Sequence, residues 1–295
     1  MGCTASGKSE VALDLARRLG DVEIVAVDSM QVYRGMDVGT AKPGPAERRE
    51  IPHHLLDVAD PSEEWSVARW AVEARRVVAG IESRGRRALL VAGTGLYFRA
   101  LVDGLHAPGR YPEVLRCLEA EADTAALHRR LSRLDPLGAS RMEPSNRRRV
   151  LRALEVTLGS GRPFSSFGPG LGDYPPSPWR ITGLWLPRPV VAARIRRRFE
   201  LMLRAGLVEE TEQLRSRPGG MSRTARQALG YREVLAHLEG GVALEEAAEE
   251  AVRRTTSFAR RQRVWWRRDP RITWYGSPLD PLTVIPEILG NWRVP

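Results

Sequence analysis

Gly2-Cys3-Thr4-Ala5-Ser6-Gly7-Lys8-Ser9 opens the chain, and its spacing is that of a phosphate-binding loop. In such a loop the glycines let the backbone curl until several N–H groups face one anion, at the positive end of the next helix. Lys8 adds a mobile positive charge, and the Ser9 hydroxyl suits a Mg2+ ion. The required helix follows, because Val11, Ala12, Leu15, Ala16 and Leu19 share one face. Residues 22–27, all apolar except Glu23, then read as a strand ending at Asp28, followed by a Gly- and Pro-containing loop through Pro61. Val67, Trp70, Ala71, Ala74, Val77, Val78 and Ile81 repeat at helical period until Gly85, and residues 88–92 form a short apolar run of the kind buried in parallel sheets. Strand and helix in alternation predict an α/β fold, a P-loop NTPase-like parallel sheet flanked by helices. One element is missing from the pattern: only Met1 precedes Gly2, where such loops leave a buried strand. Without that strand a sheet has unpaired backbone groups, so the expectation is a native start further upstream.

Beyond this core the pattern changes. From about residue 108 to 178 the chain is polar and arginine-rich, broken by Pro136, Pro144 and a Gly/Pro/Ser-rich stretch. That segment reads as a helical insertion, with the core divided into 1–107 and 179–276 and a weakly patterned tail at 277–295. A strand at 181–186, helices at 190–205, 225–238 and 244–267, and a last strand at 271–275 complete the expected order.

Composition narrows the function. Lys and Arg together number 46 against 36 Asp and Glu, a net charge of +10, which favours a polyanionic partner. Lys8 and Lys42 are the only lysines, so the abundance of arginine partly reflects a coding bias. Cys3 and Cys117 cannot build a disulfide framework or a four-cysteine zinc site. No apolar run of about 18 residues exists, which points to a soluble, cytoplasmic protein with no membrane partner. Nor does the strand at 88–92 end in a carboxylate, as the Mg2+-binding strand of a nucleotide hydrolase would. Asp28 is then the carboxylate best placed near the loop, since ligands gather at the carboxyl ends of strands in open α/β sheets.

Three sets of residues carry a family resemblance. Residues 28–43 (Asp-Ser-Met-Gln-Val-Tyr-Arg-Gly-Met-Asp-Val-Gly-Thr-Ala-Lys-Pro) with Pro52-His53-His54-Leu55-Leu56-Asp57 form the most specific block. Ala92-Gly93-Thr94-Gly95-Leu96-Tyr97 is the second. Arg152-Ala153-Leu154-Glu155-Val156, residues 194–199, Gly230-Tyr231-Arg232 and Arg260-Arg261-Gln262-Arg263-Val264-Trp265 complete the series. In this order they resemble the bacterial tRNA dimethylallyltransferases (tRNA isopentenyltransferases) over nearly the whole chain. The resemblance implies transfer of a dimethylallyl group from dimethylallyl diphosphate to N6 of the adenosine 3′ of the anticodon. It also implies a monomer whose phosphate loop, residues Gly2, Cys3, Thr4, Ala5, Ser6, Gly7, Lys8 and Ser9, holds diphosphate with Mg2+ at Ser9.

Roles carried over from the resemblance fit residue chemistry. Asp28 is the expected general base, Thr94 a neighbour of the adenine, and Lys8 and Arg198 the cations on the leaving group. The tRNA anticodon stem-loop is expected at Asp28, Ser29, Met30, Gln31 and Thr94, at Leu115, and at Arg148, Arg149 and Arg152. Further contacts fall at Gln227, Gly230, Tyr231 and Arg232, and at Arg260, Arg261, Arg263 and Arg267. Arginine runs suit phosphates, and a loop base is cheaply extruded. His53 and His54 lack zinc-site spacing and read as structural. Tyr33 and Phe98 suit either a prenyl channel or the core, and Trp265 and Trp266 suit the core better than base stacking. Three positions depart from the family: Cys3 for proline, Leu115 for an arginine that Arg116 can replace, and Gln227 as an alternative to arginine. A P-loop small-molecule kinase shares the loop and nucleotide-binding sheet but leaves residues 28–43 and the basic insertion unexplained; a non-catalytic RNA-binding module is the third reading.

Overall fold

The computed structural model describes residues 1–105, 108–168 and 170–293. In chain order the elements are α1 (Lys8–Leu19), β1 (Val22–Val27), α2 (Pro45–Glu50), β2 (His53–His54), α3 (Val67–Glu82), β3 (Arg87–Ala92), α4 (Gly95–Val102), α5 (Pro112–Glu119), α6 (Thr124–Leu134), α7 (Pro136–Ser140), α8 (Arg147–Ser160), β4 (Thr182–Trp185), α9 (Arg188–Arg204), α10 (Leu207–Ser216), α11 (Tyr231–Leu238), α12 (Leu244–Trp266), β5 (Thr273–Gly276) and α13 (Ile285–Arg293). Two compact units result, one of Met1–Val102 with Pro176–Pro295, the other Asp103–Pro175.

In the larger unit every described strand pair is parallel: β2-β1-β3 in one sheet, β4-β5 in the other. Between them run Met1 and Gly2. Gly2 N–H donates to Ala92 O of β3, while Leu184 N–H of β4 donates to Met1 O. β1 is buried throughout, as its apolar run requires. Its exception, Glu23, is held by His54 Nε2 at 2.6 Å, Arg84 at 2.8 Å and Arg86 at 3.2 Å. His54 thereby has the structural role its spacing suggested. The two-residue strand β2 was not anticipated within the long loop; it is an edge pairing too short for any periodicity to announce.

Three further expectations are corrected. The helix expected over 225–238 is a 3-10 turn, Ala225–Gln227, then α11, because Gly230 adopts φ +92° and interrupts it. Helix α10 went unread between two longer amphipathic patterns. The tail is part of the core rather than a separate segment: Val284, Ile285, Ile288 and Leu289 bury against Val11 and Leu15 of α1, with Leu184 and Tyr275. Burying such side chains is worth about 2 kcal/mol each, which is ample to dock a short helix.

The largest core joins the sheet to α3, α4 and the long C-terminal helices around Tyr33, Met36, Trp70, Phe98, Tyr231 and Trp266. Tyr33 and Phe98 are therefore core residues here, with Phe98 edge-on to Trp266 at 5.6 Å. The smaller unit is all helical around Leu118, Leu127, Leu131, Val150 and Leu154. Among the described residues no helix is long and apolar enough to cross a membrane.

Candidate active site

The phosphate loop has the curl its glycines call for. Ala5 at φ +59° and Gly7 at φ +81° take left-handed conformations, and Gly7 also lies so close to Pro281 that a Cβ would stand 2.2 Å from its Cγ. Alternating backbone handedness of this kind turns successive N–H groups toward one point. The N–H groups of Gly7, Lys8 and Ser9 have no acceptor among the described residues, as expected at a helix start. Among the described residues the Ser6 hydroxyl is buried without a partner, and that of Ser9 is exposed without one.

Three side chains fix this loop from outside. Gln262 of α12, 8% exposed, accepts from Thr4 N–H at 2.8 Å and donates to Gly93 O at 2.6 Å. Arg194 Nε of α9 donates to Ala5 O at 3.1 Å, and its Nη2 pairs with Glu10 at 3.0 Å. Arg198 Nη1, one turn further along, reaches Thr4 Oγ1 at 3.5 Å. Gln262 and Arg194 escaped the expected site because neither a neutral amide nor one of four arginines within five positions stands out in a sequence.

Strand ends bring the remaining groups together. Gly93 N–H donates to Val27 O, so the turn after β3 abuts the end of β1, where Asp28 begins. Lys8 lies across Gly93, its Nζ 3.4 Å from where a Cβ would stand. This ammonium has no hydrogen-bond or ion-pair partner among the described residues. Burial pushes its pKa down, the charge of Arg198 adds to that, and the charge of Asp28 opposes it. Burial likewise lowers the pKa of Arg198, again against the pull of Asp28. Asp28 Oδ1 accepts from Met30 N–H at 2.8 Å and Gln31 N–H at 3.2 Å, leaving Oδ2 with no partner among the described residues. Thr94 uses its carbonyl to start α4, accepting from Phe98 N–H at 3.1 Å, and its hydroxyl is unpartnered in the same sense. Two desolvated cations, an oriented carboxylate with one free oxygen and a cradle of N–H groups make a site for a strongly charged anion beside a proton acceptor.

The family model described as IPP transferase matches residues 31–269. The chain belongs to the IPP transferase family. It is 48% identical over 283 residues to the tRNA dimethylallyltransferase of Nocardioides sp., covering 94% of this chain and 91% of that one. Among solved structures, the full-length tRNA isopentenylpyrophosphate transferase of Bacillus halodurans is similar at 37% identity and TM-score 0.70, covering 99% of this chain and 93% of that one. A eukaryotic dimethylallyltransferase solved while acting on tRNA is 25% identical with TM-score 0.75, covering 99% of this chain and 74% of its own. The fold is accordingly the P-loop NTPase-like one of these transferases.

Within this IPP transferase the basic residues expected on RNA divide into exposed and committed groups. Arg260, Arg261 and Arg267 of α12 and its end are exposed, as are Gln227 and Arg232, and Arg148 and Arg149 of α8 in the smaller unit. Arg263 differs from its neighbours: it is 8% exposed, donates to Leu186 O at 2.7 Å and stacks 3.5 Å from the Trp185 ring. Arg152 is likewise engaged, donating to Pro108 O at 2.6 Å and to Glu155 at 2.8 Å. Tyr231 is fully buried, and Gly230 is buried with its N–H on Glu233 at 2.8 Å. Leu115 packs on the apolar core of the smaller unit, while Arg116 is exposed and paired with Glu113 at 2.7 Å. Helical geometry explains the exceptions within arginine runs, since successive positions of a helix point in different directions and cannot all face solvent. Ser29, Met30 and Gln31 are partly buried, and Trp265 packs closely on Gly95, where a Cβ would stand 1.9 Å from its Nε1. Cys3 packs among Leu186, Val191 and Ile195, and burial raises its thiol pKa.

Proposed function

We propose that this protein transfers a dimethylallyl group from dimethylallyl diphosphate to N6 of the adenosine 3′ of the anticodon in tRNA, releasing diphosphate. What carries the reading is the unpaired, desolvated Lys8 ammonium beside Arg198, with the free oxygen of Asp28 within their electrostatic reach. The N6 lone pair forms a bond to C1 of the dimethylallyl group as the C1–O bond breaks, and the electron pair leaves with the diphosphate. Asp28 Oδ2 takes the N6 proton, which offsets the positive charge that would otherwise build on the amine. Lys8, Arg198 and the N–H groups of Gly7, Lys8 and Ser9 receive the charge growing on the departing diphosphate. The Thr94 hydroxyl, unpartnered among the described residues, orients the adenine beside the end of β1 in this reading.

No cluster of three His, Cys, Asp or Glu side chains exists among the described residues, and the Ser9 hydroxyl, without a partner among them, is the group that would hold a divalent cation beside the diphosphate. Mg2+ held there would neutralise leaving-group charge. The exposed Arg260, Arg261 and Arg267, with Arg148 and Arg149, suit the phosphates of the stem-loop.

The test mixes the protein, Mg2+, labelled dimethylallyl diphosphate and unmodified tRNA with an adenosine 3′ of its anticodon. Label is expected in the RNA. Replacement of dimethylallyl diphosphate by ATP is expected to give no transfer; phosphoryl transfer from ATP to a small molecule would overturn the reading.

A further inference from the structure

We infer that Glu210, the fourth residue of α10 and in its first turn, is a positioning residue for the Asp28 carboxylate; this rests on reading Asp28 as the general base. Glu210 gathers three consecutive backbone donors of the loop that follows Asp28. Its Oε2 accepts from Asp37 N–H at 3.0 Å and Val38 N–H at 2.9 Å, its Oε1 from Gly39 N–H at 3.3 Å and Tyr231 O–H at 2.5 Å. Burial, then the charge of Glu210, pushes the Tyr231 pKa upward, so this hydroxyl stays a donor. Gly39 permits the approach: a Cβ there would stand 2.4 Å from the Tyr231 ring.

The clamped segment connects to the base through one side chain. Gln31 Nε2 donates to Thr40 O at 3.1 Å and Ala41 O at 3.3 Å, immediately after the three residues Glu210 holds. The backbone N–H of the same Gln31, with that of Met30, fixes Asp28 Oδ1. Lys42 closes the far end, its ammonium 2.7 Å from Asp37 and 2.6 Å from Asp57. A carboxylate with one oxygen pinned keeps the other aimed, and aim is what a proton acceptor in a crowded site needs. Without Glu210 the N–H groups of Asp37 and Val38 lose their acceptor, Gly39 N–H keeps only the Tyr231 hydroxyl oxygen at 3.1 Å, and the segment bearing the Gln31 contacts loosens.

The test measures single-turnover transfer to anticodon stem-loop RNA, with KM for dimethylallyl diphosphate, in Glu210→Ala, Glu210→Gln, Asp28→Asn and both double variants. We expect Glu210→Ala to lower the rate about ten- to a hundredfold with KM little changed, since a small misplacement of a catalytic group costs that much. Glu210→Gln, which keeps one acceptor, is expected to recover part of it. In the Asp28→Asn background neither Glu210 substitution should cost anything further, because residues that act through one another are non-additive. Equal losses in both backgrounds would mark Glu210 as merely structural and overturn the inference. So would Glu210 variants at full rate beside a crippled Asp28→Asn. Full rate in Asp28→Asn would instead sink the base assignment itself, and this inference with it. Should Glu210→Ala fail to fold, Glu210→Gln carries the same comparison.

Discussion

The two lysines of this chain lie in two loops with opposite arrangements. Lys8, in the phosphate loop, has no partner among the described residues, and burial holds its pKa down. Lys42, at the end of the loop that begins with Asp28, has a side chain 1% exposed and spends its three protons on Tyr33 O, Asp37 and Asp57. The first loop therefore stores an unsatisfied charge and the second consumes its own. A cation left unpaired under desolvation costs the apo fold and is relieved by an arriving anion, whereas a cation enclosed by carboxylates builds the frame around the site. One copy of the side chain is left open to a ligand and the other is spent within the protein.

Breaking that contrast begins with Lys8→Met. We expect transfer to fall by roughly two to three orders of magnitude, the loss typical of removing one charge-stabilising donor. Thermal stability of the free protein should stay equal or rise, because a desolvated charge has gone; a clear drop in melting temperature would contradict the contrast. Lys42→Met should do the reverse, lowering unfolding free energy by about 2 kcal/mol in denaturant titration, since it removes an enclosed ammonium and its charge-assisted hydrogen bonds to Tyr33 O, Asp37 and Asp57. A smaller loss of activity would accompany it.

The pH dependence sharpens the comparison from both ends. In kcat/KM, which reports the free enzyme, the alkaline limb should appear below the ordinary lysine value of 10.5, because the depressed Lys8 loses its proton early. Burial tends to raise the Asp57 pKa, but hydrogen bonds from Lys42 and Arg48 outweigh it and leave the group below its usual 3.8. Its stabilisation is complete above that value and disappears as the pH falls through the lower folded pKa. Acid unfolding of Lys42→Met should therefore lose part of this pH dependence; an unchanged acid profile would mean the pair contributes little.

The smallest effects concern α12. Arg260→Ala and Arg261→Ala should each weaken tRNA binding a few-fold and reduce the slope of log affinity against log salt by about 0.7 to 1. Arg263→Ala should leave that slope alone and lower the melting temperature instead. If Arg263 behaved like its neighbours, its contacts with Leu186 and Trp185 would have to open on binding RNA.

The loop, α1, β1, α3 and β3 were legible in the sequence to within a residue or so, because each follows a local rule: glycine spacing, a 3.6-residue repeat, or an unbroken apolar run. Asp28 and Lys8 were legible for a related reason, as they adjoin those elements directly. Helix α10 was not, and with it Glu210 escaped notice; nothing in Leu-Val-Glu-Glu-Thr-Glu announces that one carboxylate will meet three N–H groups from residues 37–39. Gln262, more than two hundred residues from the loop it braces, is equally silent.

Local chemistry, readable one element at a time, determined that this chain would form a parallel α/β core with an anion cradle and a carboxylate at a strand end. Only tertiary structure decided which arginines remain exposed, which are enclosed, and which distant carboxylate or amide holds each loop of the candidate site. The reason is physical: periodicity reports what a residue does to its own helix or strand, while the pairing of a buried charge depends on partners that come together only when the sheet has assembled.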